Sequence, residues 1–341
     1  MTTQYAKDQS KGSKNHIKNI AIVGGGGQIG TWIVDALLQK GTFNVTAVSR
    51  EGSTNTPAKG VHIASINYDD HSSIVSALKG QDALIITMSV RAPPDQQQKL
   101  IRAAAEAGVP WVLPNEFGGD GTNEKVGKDI MIYEPKKKDR ELIESLGVSD
   151  WIGITCSFWY EYSLSGPGPY GIDIANGEVV WFDDGNQKLN TSTWPQTGRA
   201  VASLLSLPVF PEDENDKALT ISSYKQKFVY ISSFGVTQHE MFDSVKRVTG
   251  TDDSAWAFSS VPSKQRFEEN KAKMIAGDRM GFLYMLYTRV FFPGEDAAYY
   301  ENTHELDNEK LGLPKEDLDT FTKKAVELSE RGYWAKLFAS G

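Results

Sequence analysis

Residues 19–41, NIAIVGGGGQIGTWIVDALLQKG, constrain the fold more than any other stretch of the chain. Four successive glycines, Gly24 to Gly27, and a fifth at Gly30 separate an apolar run from a segment with helical periodicity. Strand, glycine turn and helix in that order form a phosphate-binding unit. The first glycines permit a tight turn with positive φ, and Gly30 lets the helix pack close to the strand. The helix start then offers free N–H groups and a partial positive charge to an anion. Gly25-x-Gly27-x-x-Gly30 and Gly24-x-x-Gly27-x-x-Gly30 both fit dinucleotide-binding spacings, so Gly24, Gly27, Gln28, Ile29 and Gly30 are the candidates on this turn. A glycine-rich loop without a ligand is the competing reading. The strand before the turn and the amphipathic helix after it favour the dinucleotide site.

The same alternation continues downstream. Short apolar runs, FNVTAVSR, VHIASINYDD, DALIITMSV, VPWVLPNEFG and DWIGITCSF, are interleaved with helix-like segments, several ending in a glycine. This predicts βαβ units and a Rossmann-type, doubly wound parallel α/β sheet. The pattern places a dinucleotide-binding domain at 17–157 and a smaller α/β substrate lobe mainly at 158–341. Segments near 195–225 are expected to return to the sheet. GEVVWFDDGNQKLN reads as a hairpin turning at Asp184-Gly185-Asn186, KALTISS as a strand, and the aromatic helix 281–292 as core rather than lid.

At the end of the second strand an NAD site usually carries an acidic residue for the ribose hydroxyls. This chain has Ser49 and Arg50. An arginine there suits the 2′-phosphate of NADP through charge-assisted hydrogen bonds. Glu51 carries the opposing reading, in which it faces the ribose. Thr87, Met88 and Ser89 end the fourth strand, where a cofactor passes in this fold, and Asn67 and Tyr68 would border the adenine. Strand-end packing is the alternative for all five. Phe158, Trp159 and Tyr160 follow the sixth strand and would line an aromatic pocket or pack in the core.

The segment IYEPKKKDRELIESLG carries Lys136, Lys137 and Lys138. It is a solvated basic face, a Tyr133-x-x-x-Lys137 pair, or a site built on Lys136. Leu142, Ile143 and Leu146 mark the apolar face. At ~100° per residue, Lys136 lies ~70° from its centre and Lys137 ~170° from it. Lys136 thus flanks the buried side while Lys137 points to solvent. Pro135 fits a first helical turn, which leaves Tyr133 at or before the helix start. A partly buried lysine suits proton exchange near neutrality.

These segments resemble the isoflavone reductase and phenylcoumaran benzylic ether reductase group of the NmrA-like, atypical short-chain dehydrogenases. The matching residues are GGGGQIG (24–30), SR (49–50), VLPNEFG (112–118), YEPKKKDRELIESLG (133–147), CSF (156–158) and DDGN (183–186). The resemblance runs from about residue 17 to the C-terminus, specific over the first 160 residues and loose after about 240. It implies NADPH as hydride donor, Lys136 as proton-transfer residue and an aromatic small molecule as substrate. The group reduces an activated C=C, a benzylic ether through a quinone methide, or a related group. It also implies cofactor contacts at Asn115 and Lys136. Two positions depart from its pattern: Asn115 stands where serine is usual, and Cys156 where asparagine is common. Cys156 reads as a buried strand residue. Two other functions are compatible with the resemblance: a non-catalytic NADP-sensing regulator, and an isomerase or dehydratase with structural NADP.

Composition narrows the remaining classes. The 341 residues are 40% hydrophobic and carry a net charge of −8, which argues against a polyanion-binding surface. One cysteine allows no intramolecular disulfide, and the five histidines show no metal-ligand spacing, so no metal is expected. No apolar run spans a bilayer. The polar residues 1–16 lack a signal peptide's apolar core and read as a disordered tail. A cytoplasmic monomer or homodimer is expected, with no nucleic-acid or membrane partner.

Overall fold

The computed structural model describes residues 4–9, 15–53, 58–89 and 92–339. The first half alternates as its sequence predicts: β1 (Asn19–Val23), α1 (Gln28–Lys40), β2 (Asn44–Arg50), β3 (His62–Ile66), α2 (His71–Leu78), β4 (Ala83–Ile86), α3 (Gln96–Ala107), β5 (Trp111–Leu113), α4 (Glu124–Ile130), α5 (Tyr133–Leu146) and β6 (Asp150–Thr155). Then follow β7 (Phe158–Trp159), α6 (Tyr160–Leu164), β8 (Ile172–Asp173), β9 (Glu178–Phe182), β10 (Leu189–Ser192), α7 (Trp194–Leu205), β11 (Lys227–Tyr230), β12 (Phe234–Val236), α8 (Gln238–Thr249) and β13 (Ala257–Val261). Four helices close the chain: α9 (Ser263–Ile275), α10 (Arg279–Arg289), α11 (Leu318–Glu330) and α12 (Tyr333–Ala339).

Seven parallel strands form the central sheet in the order β11-β6-β5-β4-β1-β2-β3. Strand order reverses between β1 and β4, the place where open α/β sheets bind ligands beyond the strand ends. Successive side chains explain the burial of both faces. Ile20 and Ile22 join the core that includes α1 and α7, while Ala21 and Val23 join the core that includes α2 and α3. A third apolar cluster takes in residues of the three-stranded sheets β12-β10-β7 and β13-β9-β8. Met285 and Tyr287 of α10 lie in it, so the aromatic helix is core.

Three sequence expectations change. The stretch around Asp184–Asn186 is not a hairpin: β9 pairs with β8 and β13, and β10 with β12 and β7. The residues after β9 carry the chain to a different sheet. KALTISS is not a strand; a short 3-10 turn at Ile221–Tyr224 precedes β11, which supplies the edge beside β6. Of the tail expected at residues 1–16, the described parts are held in place. Ala6 N–H donates to Pro211 O at 2.8 Å, and Asn15 Nδ2 to Phe210 O at 2.7 Å. Residues 1–3 and 10–14 lie outside the described residues. Among the described residues no helix is long and apolar enough to cross a membrane.

Candidate active site

The glycine turn begins where β1 ends. Gly24 has φ +77°, and Gly27 N–H closes the turn on Gly24 O at 2.8 Å. A Cβ on Gly24 would lie 2.1 Å from Thr87 O, and one on Gly30 would lie 2.0 Å from Gly24 O. Neither position admits a side chain without moving backbone. Gly27 caps α1 without a side-chain acceptor, so the first-turn amides are left for an anion. Ile29 is buried beneath the turn and Gln28 half-buried beside it. Thr87 braces the turn: its N–H and Oγ1 both donate to Val23 O.

Register sets the neighbouring candidates. Val23 pairs with Val48, so Ser49 and Arg50 run on past the end of β1, with Arg50 exposed. Tyr68 lies within the field of Arg50; burial raises its phenol pKa and the Arg50 charge opposes that. Asn67 is exposed after β3, its N–H donating to Ser73 Oγ. Met88 is half-buried and Ser89 exposed after β4. Asn115 closes this row: its Nδ2 donates to Met88 O at 3.0 Å and its N–H to Gln97 Oε1 at 2.9 Å.

Glu116, beside Asn115, is 2% exposed. A carboxylate buried that deeply needs counter-charge. Arg140 supplies it by a close ion pair, and Lys136 Nζ stands 3.6 Å from the other oxygen. That separation exceeds a hydrogen bond, so the lysine is drawn to the acid while its N–H donors stay unspent on it. The helical-face reading holds: Lys136 is half-buried, and Lys137 and Lys138 are exposed. Tyr133 opens α5 and is buried, so the alternative Tyr133–Lys137 pair is not formed. Asp139, one turn beyond Lys136, has its carboxyl pKa raised by burial despite a hydrogen bond from Gln97. Cys156 is fully buried; burial pushes its thiol up to about 12, with the Lys136 charge acting against it. A neutral, enclosed thiol fits a packing role.

The aromatic triplet does not gather around one pocket. Trp159 packs against the core that contains Cys156, beside Tyr162 and Trp194. Phe158 packs against the third apolar cluster and stacks on Tyr287 with centroids 4.0 Å apart. Tyr160 has no exposed surface and shares a hydrogen bond with Thr322 Oγ1 at 2.7 Å. The expectation that Tyr160 lines a substrate pocket is therefore corrected: it is a core residue with its hydroxyl satisfied. Sequence reasoning missed Glu116, Gln97 and Asp139. An acidic residue at the end of an apolar strand, with cations at Lys136 and Arg140 four apart on a helix, was the available signal for Glu116.

Comparison with known proteins follows the same lines. Residues 16–165 match the NmrA-like family. The oxidoreductase aprR of Aspergillus flavus is 25% identical over 314 residues, covering 88% of this chain and 96% of that protein. The phenylcoumaran benzylic ether reductase Pyrc5 of Pyrus communis is 32% identical over 182 residues, covering 50% of this chain and 58% of that one. Isoflavone reductase superposes with a TM-score of 0.67 at 21% identity, covering 92% of this chain and 99% of that one. AtPrR2, solved with NADP+ and (+)pinoresinol, superposes with a TM-score of 0.67 at 20% identity and the same coverage.

Proposed function

We propose that this chain, whose residues 16–165 match the NmrA-like family, is an NADPH-dependent reductase of the isoflavone reductase group, acting on an aromatic small molecule. The observation that carries the proposal is Lys136, half-buried and 3.6 Å from the enclosed Glu116 carboxylate, at the same sheet end as the glycine turn. The relatives named oxidoreductase and reductase, and the NADP+ in AtPrR2, support it.

The residues fit the cofactor. The glycine turn leaves no room for side chains beneath it, and α1 has uncapped amides above it. Gly24, Gly27, Gln28, Ile29 and Gly30 would hold the diphosphate, and Ser49 and Arg50 the 2′-phosphate. Asn67 would border the adenosine. Thr87, Met88, Ser89 and Asn115 would border the nicotinamide half. When bound, the reduced nicotinamide supplies hydride to an activated C=C, a benzylic ether or quinone methide, or a related electron-poor carbon. Lys136 would deliver a proton to the substrate atom that gains charge, or hold that charge by hydrogen bonding. Glu116 keeps the ammonium beside the site, and Arg140 neutralises Glu116 enough that Lys136 is not locked to it. Phe158 and Trp159 pack against separate cores, so each would offer a substrate only its own half-buried edge and the two would not form one aromatic wall.

The test is NADPH consumption with a panel of phenolic and conjugated compounds, followed by product analysis. Lys136→Ala should lower turnover by roughly 10²–10⁴-fold while NADPH still binds. Near-normal turnover in that variant refutes the role of Lys136. Conversion without net reduction would instead identify an isomerase or dehydratase.

A further inference from the structure

We propose that the C-terminal helix α12 belongs to the dinucleotide site, with the Tyr333 hydroxyl as a donor to the cofactor diphosphate. This rests on the dinucleotide reading above and adds a residue about three hundred positions from the glycine turn. Gln28, the first residue of α1, donates through Nε2 to the Tyr333 phenolic oxygen at 2.8 Å. With its oxygen accepting, Tyr333 must direct its own O–H elsewhere. Among the described residues no acceptor for that proton is present. The hydroxyl stands at the start of α1, where uncapped amides already favour an anion. The turn beside it stays open, since Gly26 is exposed.

The placement of the phenol is fixed by its neighbour. Trp334 is 5% exposed and stacks on Tyr162 with centroids 4.7 Å apart. Its Nε1 donates to Tyr162 O at 2.9 Å. A Cβ on Gly166 would come within 2.2 Å of the Trp334 ring, so that ring is seated against bare backbone. Tyr333 itself meets Tyr162 and Trp194 edge-on. A donor held by such contacts loses little entropy when it binds, and a bond to a diphosphate oxygen is charge-assisted.

Tyr333→Phe keeps the ring contacts and removes the donor. Wild type and variant are titrated with NADPH and with adenosine 2′-monophosphate, which has no diphosphate, and 31P spectra of bound NADP+ are recorded. The expected result is an NADPH affinity roughly tenfold weaker, unchanged binding of adenosine 2′-monophosphate, and shifted diphosphate resonances. Equal NADPH affinity, or equal weakening of both ligands with unshifted diphosphate resonances, overturns the inference. Wild type that binds neither ligand would overturn the dinucleotide reading itself, and this inference with it.

Discussion

Lys136 and Arg140 sit one helical turn apart on α5 and share a single carboxylate, Glu116, the lysine at 3.6 Å and the arginine in close contact. Both Arg140 and Glu116 are buried, so removing the acid leaves a guanidinium without its counter-charge. Glu116→Leu should destabilise the protein by ~3–5 kcal/mol, and the double variant Glu116→Leu/Arg140→Met should recover much of that loss. Urea unfolding of the four proteins in the cycle gives the comparison. Additive losses would mean that the pair is not coupled.

Gly30→Ala places a methyl group 2.0 Å from the Gly24 carbonyl oxygen, inside the turn proposed to hold the diphosphate. Relief requires backbone movement, because no flexible side chain can yield. A stability loss of at least ~1–3 kcal/mol is expected, together with NADPH binding weakened tenfold or more. Thermal unfolding with and without NADPH separates the two effects.

Arg50 is exposed at the end of β2, past the end of β1. Charge-assisted hydrogen bonds to a 2′-phosphate are worth ~1.5–3 kcal/mol each. Arg50→Ala should therefore weaken NADPH by about tenfold or more and leave NADH affinity unchanged. If Glu51 reads the ribose instead, the preference between the two nucleotides will not move.

Glu161 lies buried in α6; its Oε1 accepts from Trp194 N–H at 3.0 Å, and its Oε2 has no partner among the described residues. Burial raises its pKa to about 7, with a smaller push from the Glu316 charge. The folded protein therefore holds this proton more tightly than the unfolded chain. The stabilisation is full below about pH 4.5, declines as pH rises toward 7, and is lost above it. The effect is on the order of 3 kcal/mol. Glu161→Gln should remove this part of the pH dependence and be more stable than wild type at pH 8. Parallel stability curves from pH 5 to 8 would contradict the assignment.

What the sequence disclosed was local. A turn needing glycine, a helix face setting Lys136 apart from Lys137, and an arginine at a strand end are each legible from a few neighbouring residues. What it hid depends on distant partners. Nothing near Glu116 announces that two cations will cover it, and nothing near Gln28 announces Tyr333. Tyr160 misled for the same reason. An aromatic residue after a strand suits a pocket wall and a core equally, and Thr322 and Phe234, far along the chain, settle which. The supposed hairpin failed because turn residues specify a bend but not which strands pair across it.

The strand β11 has a consequence for synthesis. Until it emerges, β6 is the outermost strand of the sheet and carries unpaired amides and carbonyls along one side, a template for pairing with other chains. Roughly seventy residues separate the end of β6 from β11, which at ~5–20 residues per second is a delay of several seconds on the ribosome. A fragment cut at residue 165, where the family match ends, would keep that raw edge permanently and should aggregate, whereas one extended through Tyr230 brings the strand that covers it.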